Sequence, residues 1–400
     1  MIDQEAAVFE EQMAVLVKAG LTPDEARLIA ERRLRQRAAG AVGRGRGDAA
    51  VAICLAVAAA ILVKLPALFG VTFDNGSSFY AHNASFFVLP LLTGYFVWKR
   101  GYVRSVAWLA VAFILAAVFA NIYPFVPNGD TEALSILHLP IALWLAVGIA
   151  YAGERWSRAD GRMDFIRFSG ELFIYYVLIA LGGGVFTAFM AMLFHAIGID
   201  AEPFFQSWLL PCGAAGAVIV AAWLVETRQR VMENLAPMLT RLFTPLFAAL
   251  LVTFLAAMLW TGRGIGVDRD VLIAFDLLLV VVLGLLLYSV SAREAAAPPG
   301  AFDVLQVVLL VSALIADVIA LWAIAARISE FGFTPNRIAA LGENVILLVN
   351  LAWSAVLYIG FLRGRGGFER LTRWQTNYLP VYAVWAAIVV IGFPPVFGYR

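Results

Sequence analysis

Three carboxylates stand inside stretches otherwise long and apolar enough to cross a bilayer: Asp276, Asp317 and Glu343. A charge at the centre of a membrane helix costs at least ~2.5 kcal/mol even on insertion scales, so such residues face a bundle interior or a wet cavity and serve protons, ions or polar cargo. At 1.5 Å per helical residue, Asp276 and Glu343 lie ~9 Å below the ends of their apolar runs and Asp317 lies ~15 Å below Arg327, near the midplane. Lys64 is the basic residue that falls within an apolar run. The chemistry expected of this group is an outward-open polar cavity lined by Asp276, Asp317, Glu343 and Lys64, with Asn350 extending it two turns beyond Glu343 on the same helix face. Plainer readings stand beside it. Lys64 can snorkel to the interface, and Asp317 or Glu343 can be a neutral or paired acid that fixes helix packing.

The acids are joined by a charged turn, Arg327-Ile-Ser-Glu330-Phe-Gly-Phe-Thr334-Pro-Asn336-Arg337. Mutual pairing of Arg327 with Glu330 is one reading of it. The other is an anion site at the lip of the cavity, where guanidinium groups take a phosphate or carboxylate. Asn336 is the expected cap of the turn.

The elements that must position these residues are long helices. The chain is 62% hydrophobic and 14% charged, against roughly 25% charged in soluble domains. This composition predicts an all-α polytopic transmembrane bundle. With about 20 apolar residues per crossing, the runs fall at 49–70, 83–98, 105–123, 134–151, 171–197, 206–225, 237–260, 270–290, 303–326, 338–361 and 378–396, about eleven helices. Arginine and lysine concentrate in alternate loops (Lys99, Arg100, Arg104; Arg155, Arg158, Arg162, Arg167; Arg228, Arg230, Arg241; Arg293; Arg363, Arg365, Arg370, Arg373). By the positive-inside rule the N-terminus is cytoplasmic and the 327–337 turn lies outside. The intramembrane acids and His82, His138 and His195 then all fall on the outer side of the midplane.

Residues 1–47 read as a cytoplasmic helical pair and basic linker, and 48–400 as the transmembrane domain. Thr22-Pro23-Asp24-Glu25 starts the second helix, with Thr22 as N-cap and proline at the first position. The arginines from Arg32 to Arg46 are a topology signal against anionic lipid. Cys54 and Cys212 fall in apolar runs and predict two free buried thiols. Gly182-Gly183-Gly184 in mid-span admits either a broken helix or close helix packing. No P-loop, His-Glu-x-x-His or Gly-x-Ser-x-Gly is present, so the balance is against an enzyme and no cofactor is expected. A metal is not expected either. The weak candidates are a zinc site from His82, His138 and His195 and the Asp268-Arg269-Asp270 tripeptide.

The charged turn, together with Asn121-Ile-Tyr-Pro124-Phe and Asn234-Leu-Ala-Pro237-Met-Leu-Thr-Arg241-Leu-Phe-Thr-Pro245-Leu, resembles a bacterial multi-pass inner-membrane family known only as domain of unknown function 4153. The N-terminal pair resembles the short helical prefix of some bacterial permeases. The resemblance implies a bacterial inner-membrane protein and supplies no activity.

Three functions remain open. The first is a transporter-like or permease-like protein, proton-linked through its acids, handling a small anionic or lipid-linked ligand. The second is an envelope sensor or accessory subunit with a protein partner. The third is a membrane-embedded transferase. All three have the lipid bilayer as partner, and none calls for nucleic acid.

Overall fold

A computed structural model describes residues 10, 13–14, 16–18, 22–73, 77–102, 104, 106–227, 229–261, 269–294 and 296–400, without the side chains of 24–25, 28–29, 31–46, 77, 229–237, 259, 261 and 269–271. Arg228, Arg263 and Asp268 therefore lie outside the described residues, as do the side chains of Arg32 to Arg46, Arg230, Arg269 and Asp270. The chain forms two compact units, Met1–Cys54 and Leu55–Arg400. In the first, Leu16, Ala26 and Ala30 are buried together with Met13 against them. Thr22 precedes the helix that begins at Pro23, and its carbonyl accepts from the Ala26 N–H.

Among the described residues the architecture is helical and without strands. We label the helices α1 Pro23–Lys64, α2 Ser77–Arg100, α3 Val106–Ile122, α4 Asp130–Ala152, α5 Ala159–Ala196, α6 Glu202–Thr227, α7 Gln229–Thr261, α8 Arg269–Ala292, α9 Ala301–Phe331, α10 Pro335–Leu362 and α11 Glu369–Val396. Helix α1 runs through the glycine- and arginine-rich stretch that the sequence reading assigned to a linker. Among the described residues, 9 helical stretches are long and apolar enough to cross a membrane. α2, with its polar first turns, and the shorter α3 are not among them. This is a multi-pass membrane protein.

Its surface fits that solvent. Phe173, Leu178, Leu181, Phe186, Phe189 and Leu193 on α5 are all exposed, as side chains facing hydrocarbon must be when lipid rather than water surrounds the bundle. The interior is built differently. On α9 a stripe of small residues, Ala313, Ala316, Ala320 and Ala323, is buried where α9 meets α7, α8 and α10. Small side chains let backbones approach, and close van der Waals contact drives helix association in lipid.

Ionic knots hold one end of the bundle. The Arg293 guanidinium donates from Nε to Asp303 Oδ1 at 2.9 Å and from Nη2 to Oδ2 at 3.1 Å, and lies over the rings of Phe361 and Phe368. Asp303 Oδ2 also accepts from the Gly300 N–H at 2.8 Å, closing the start of α9. At the same end Lys99 and Arg100 both reach Glu226, at 3.2 and 2.9 Å.

Several prolines interrupt the helical ladder, Pro90, Pro140 and Pro380 among them, and at two further ones the freed carbonyl has a side-chain partner. Pro211 cannot donate to Ser207 O, and the turn Phe205–Leu209 widens into a π-helix. Lys64 Nζ donates to that carbonyl at 2.6 Å. Pro395 likewise frees Ile391 O within the π-turn Ile388–Gly392, and the Tyr123 hydroxyl donates to it at 3.0 Å. A buried carbonyl without a partner is costly, so proline at position i makes residue i−4 a docking point.

Two expectations fail here. Gly182, Gly183 and Gly184 lie in unbroken helix, and a Cβ added at any of them would meet nothing within 4 Å, so neither a broken helix nor close packing accounts for them. Cys54 is exposed and Cys212 half-buried, both free. Their runs are apolar because lipid, not protein, covers much of them.

Candidate functional site

The site begins at His138 on α4. Its Nδ1–H donates to Leu134 O, one turn back, at 2.8 Å. A carbonyl only accepts, so this bond leaves Nε2 to face Glu343 Oε1 on α10 at 2.6 Å. The pair shares one proton, either as neutral imidazole accepting from a protonated Glu343 or as imidazolium donating to the carboxylate. His138 is 6% exposed and the Glu343 side chain 35%, so the pair joins the surface of the bundle to its interior.

The next residue carries the network inward. Asn344 Nδ2 donates to Asp276 Oδ1 on α8 at 2.8 Å and to Ala340 O at 2.8 Å. Asp276 is half-buried and lies within Coulombic reach of both Glu343 and Asp317. Asp317 is 0% exposed, and neither of its oxygens has a hydrogen-bond partner among the described residues. Its helix neighbours Ala313, Ala316 and Ala320 are equally buried. Among the described residues no lysine or arginine pairs with Asp276, Asp317 or Glu343. Among the described residues an ionised Asp317 would meet neither a hydrogen-bond donor nor a cation, and protein surroundings of this kind favour the neutral acid.

The turn between α9 and α10 sets the register of these acids. Gly332 has φ +76°, a left-handed conformation that favours glycine. Thr334 caps α10, accepting from the Arg337 N–H, and Pro335 takes its first turn. Arg337 Nη1 donates to Phe331 O at 3.1 Å and to Gly332 O at 2.8 Å, so it covers the orphan carbonyls at the end of α9. Beside Glu343, α11 approaches so closely that a Cβ on Gly342 would stand 2.1 Å from the Trp385 ring.

The structure thus brings Asp276, Asp317 and Glu343 together and takes other candidates away. Lys64 is not part of the acid group. It serves Ser207 O and lies over Trp208, 4.2 Å from the ring centroid. Asn350 belongs to a separate knot in which its amide and that of Gln375 bond reciprocally at 3.2 and 3.0 Å, with Ser354 bonded to both. The same helix face has passed from α4 and α8 to α11 over those two turns. Thr334, not Asn336, is the cap. Arg337 is engaged with carbonyls, so an anion lip would rest on half-buried Arg327 alone. Exposed Glu330 forms no ion pair with it among the described residues. The three histidines do not converge. His82 stands against Glu132, His138 against Glu343, and His195 is exposed at the end of α5. Among the described residues no group of three His, Cys, Asp or Glu could hold a metal ion.

Sequence reasoning named His138 only as a weak zinc candidate and missed its pairing with Glu343, and it missed Asn344 altogether. His138 stands 205 residues from its partner, and no local spacing announces such a pair. Asn344, adjacent to Glu343 in a span, carried a signal, since an amide there also needs a partner. No family model matches the chain, and no curated protein or solved structure matches it.

Proposed function

We propose that the chain is a proton-linked, transporter-like protein of a bacterial inner membrane, in which His138–Glu343, Asp276 and Asp317 form a ladder that passes a proton between the rim and the midplane. The observation that carries this reading is Asp317, fully buried with both oxygens unpartnered among the described residues. A polar group kept there against its desolvation cost is explained by a proton that comes and goes more readily than by packing. The cargo class expected from the outer arginines, an anionic or lipid-linked envelope compound, rests on Arg327. The separate compactness of Met1–Cys54 favours, as a second reading, a sensor whose N-terminal unit reports the state of the same acids.

The cargo-independent test is infrared difference spectroscopy of the full chain in lipid. We expect a C=O band of a water-shielded carboxylic acid that vanishes in Asp317→Asn. Its persistence in that variant would remove Asp317 from the proton route.

We further propose about eleven crossings with the N-terminus inside. The arginine and lysine distribution supports it, and the resemblance of the 327–337 turn supports the bacterial inner membrane. In a background of Cys54→Ala and Cys212→Ala, Ser329→Cys and Gly367→Cys are expected to react with an impermeant thiol reagent from opposite sides. Both sites are exposed, and a side chain on Gly367 meets nothing within 4 Å. Same-side labelling would mean that α10 does not cross the membrane, and the ladder would fall with it.

A further inference from the structure

The start of α2, the end of α3, the 123–127 segment and the start of α4 border an open cleft of about 370 Å³. That is within the usual size of small-molecule sites, ~300–1,000 Å³. Three aromatic residues line it, Phe79, Tyr123 and Phe125, together with His82 and Glu132. Among the described residues no lysine or arginine lines it.

The walls are tied down. Asn121 and Asn83 bond reciprocally through their amides at 2.8 and 3.0 Å. Tyr123 is held by Ile391 O. The N–H groups of Val126 and Thr131 donate to the carbonyls of Tyr399 and Arg400, both at 2.8 Å. Glu132 is 6% exposed, and its Oε2 accepts from the Asn128 N–H at 2.8 Å. Its Oε1 lies 3.2 Å from His82 Nε2, yet that nitrogen has no aligned hydrogen bond among the described residues. The carboxylate therefore keeps acceptor capacity on the His82 side.

A fixed carboxylate among aromatic rings, with His82 the one basic side chain among the described lining residues, repels anions when that imidazole is neutral and suits a soft cation. Ring faces attract an ammonium, more strongly when it is desolvated, and the carboxylate supplies the opposite charge and a hydrogen-bond acceptor. The volume exceeds that of a bare ion and leaves room for a carbon chain. We infer that this cleft binds an alkylammonium group, the chemistry shared by a free small amine and an aminolipid headgroup. The inference is independent of the acid ladder, since none of Glu343, Asp276 and Asp317 lines the cleft.

The test uses the delipidated full chain in a neutral detergent, with thermal unfolding as readout. One arm adds ethylammonium chloride, with sodium chloride at equal ionic strength and sodium acetate as controls. The other adds phosphatidylethanolamine or phosphatidylglycerol in mixed micelles. We expect stabilisation by ethylammonium, by phosphatidylethanolamine over phosphatidylglycerol, or by both, and the pattern identifies the source. Glu132→Gln, which can still accept from Asn128, is expected to bind about tenfold more weakly. Phe79→Leu, which removes one half-exposed wall ring, is expected to weaken binding in the same direction and serves if the first variant fails to fold. Stabilisation by acetate instead of ethylammonium overturns the inference. So does the absence of any amine effect, or an amine effect unchanged in Phe79→Leu.

Discussion

Asp317→Asn is expected to fold, insert and unfold within about 1 kcal/mol of the parent protein, and to abolish activity in a strain that depends on this chain. The small stability change follows from the surroundings. Among the described residues both carboxyl oxygens lack partners and no cation pairs with the group, so a neutral amide of the same shape strands no charge. Asp317→Leu goes further. It replaces an unsatisfied polar group at a fully buried position and is expected to stabilise the bundle by about 1–3 kcal/mol. Detergent-titrated unfolding checks both. A loss near 3–5 kcal/mol in Asp317→Asn, the signature of a broken buried ion pair, would mean that a cation faces Asp317 and that the ladder is wrong. A well-folded variant that still complements a deletion would remove Asp317 from any mechanism. Stability rising while function vanishes would show the acid kept for its chemistry, against packing.

Arg293→Ala is expected to destabilise strongly, by about 3–5 kcal/mol, because it leaves Asp303 as an uncompensated buried carboxylate. The side chains are 13% and 6% exposed, the contact is bidentate, and the same guanidinium donates to Ala297 O and Pro298 O. Arg293→Lys is expected to recover little, since an ammonium cannot fork across both oxygens or stack on Phe361 and Phe368. The contrast is Arg158→Ala. Arg158 bonds Asp160 at 3.0 Å with side chains 70% and 49% exposed, where ion pairs contribute about 0–1 kcal/mol. Equal losses in Arg293→Ala and Arg158→Ala, measured by chemical unfolding in the same detergent, would show the Arg293–Asp303 knot to be more hydrated than its burial indicates. A double-mutant cycle with Asp303→Ala separates the pair from the lost ring contacts.

What the sequence by itself determined is whatever depends on local chemistry. Apolar runs of spanning length specify the helices, because backbone groups in lipid must bond within the segment. Thr334-Pro335 starts α10 because a hydroxyl and a proline suit a helix start wherever it occurs. Asp276, Asp317 and Glu343 stood out because a carboxyl in a span is costly in any fold. Only the tertiary structure decided who meets whom. It set His138 against Glu343, sent Asn350 to Gln375 and took Lys64 to the carbonyl freed by Pro211. It also left the glycine triplet facing outward. In a soluble helix the apolar stripe shows which face turns inward. In these helices the lipid face and the packed face are both apolar, so sequence periodicity loses that information, and pairing rests on shape, on small residues such as Ala316 and Gly342, and on the few polar groups that must find partners.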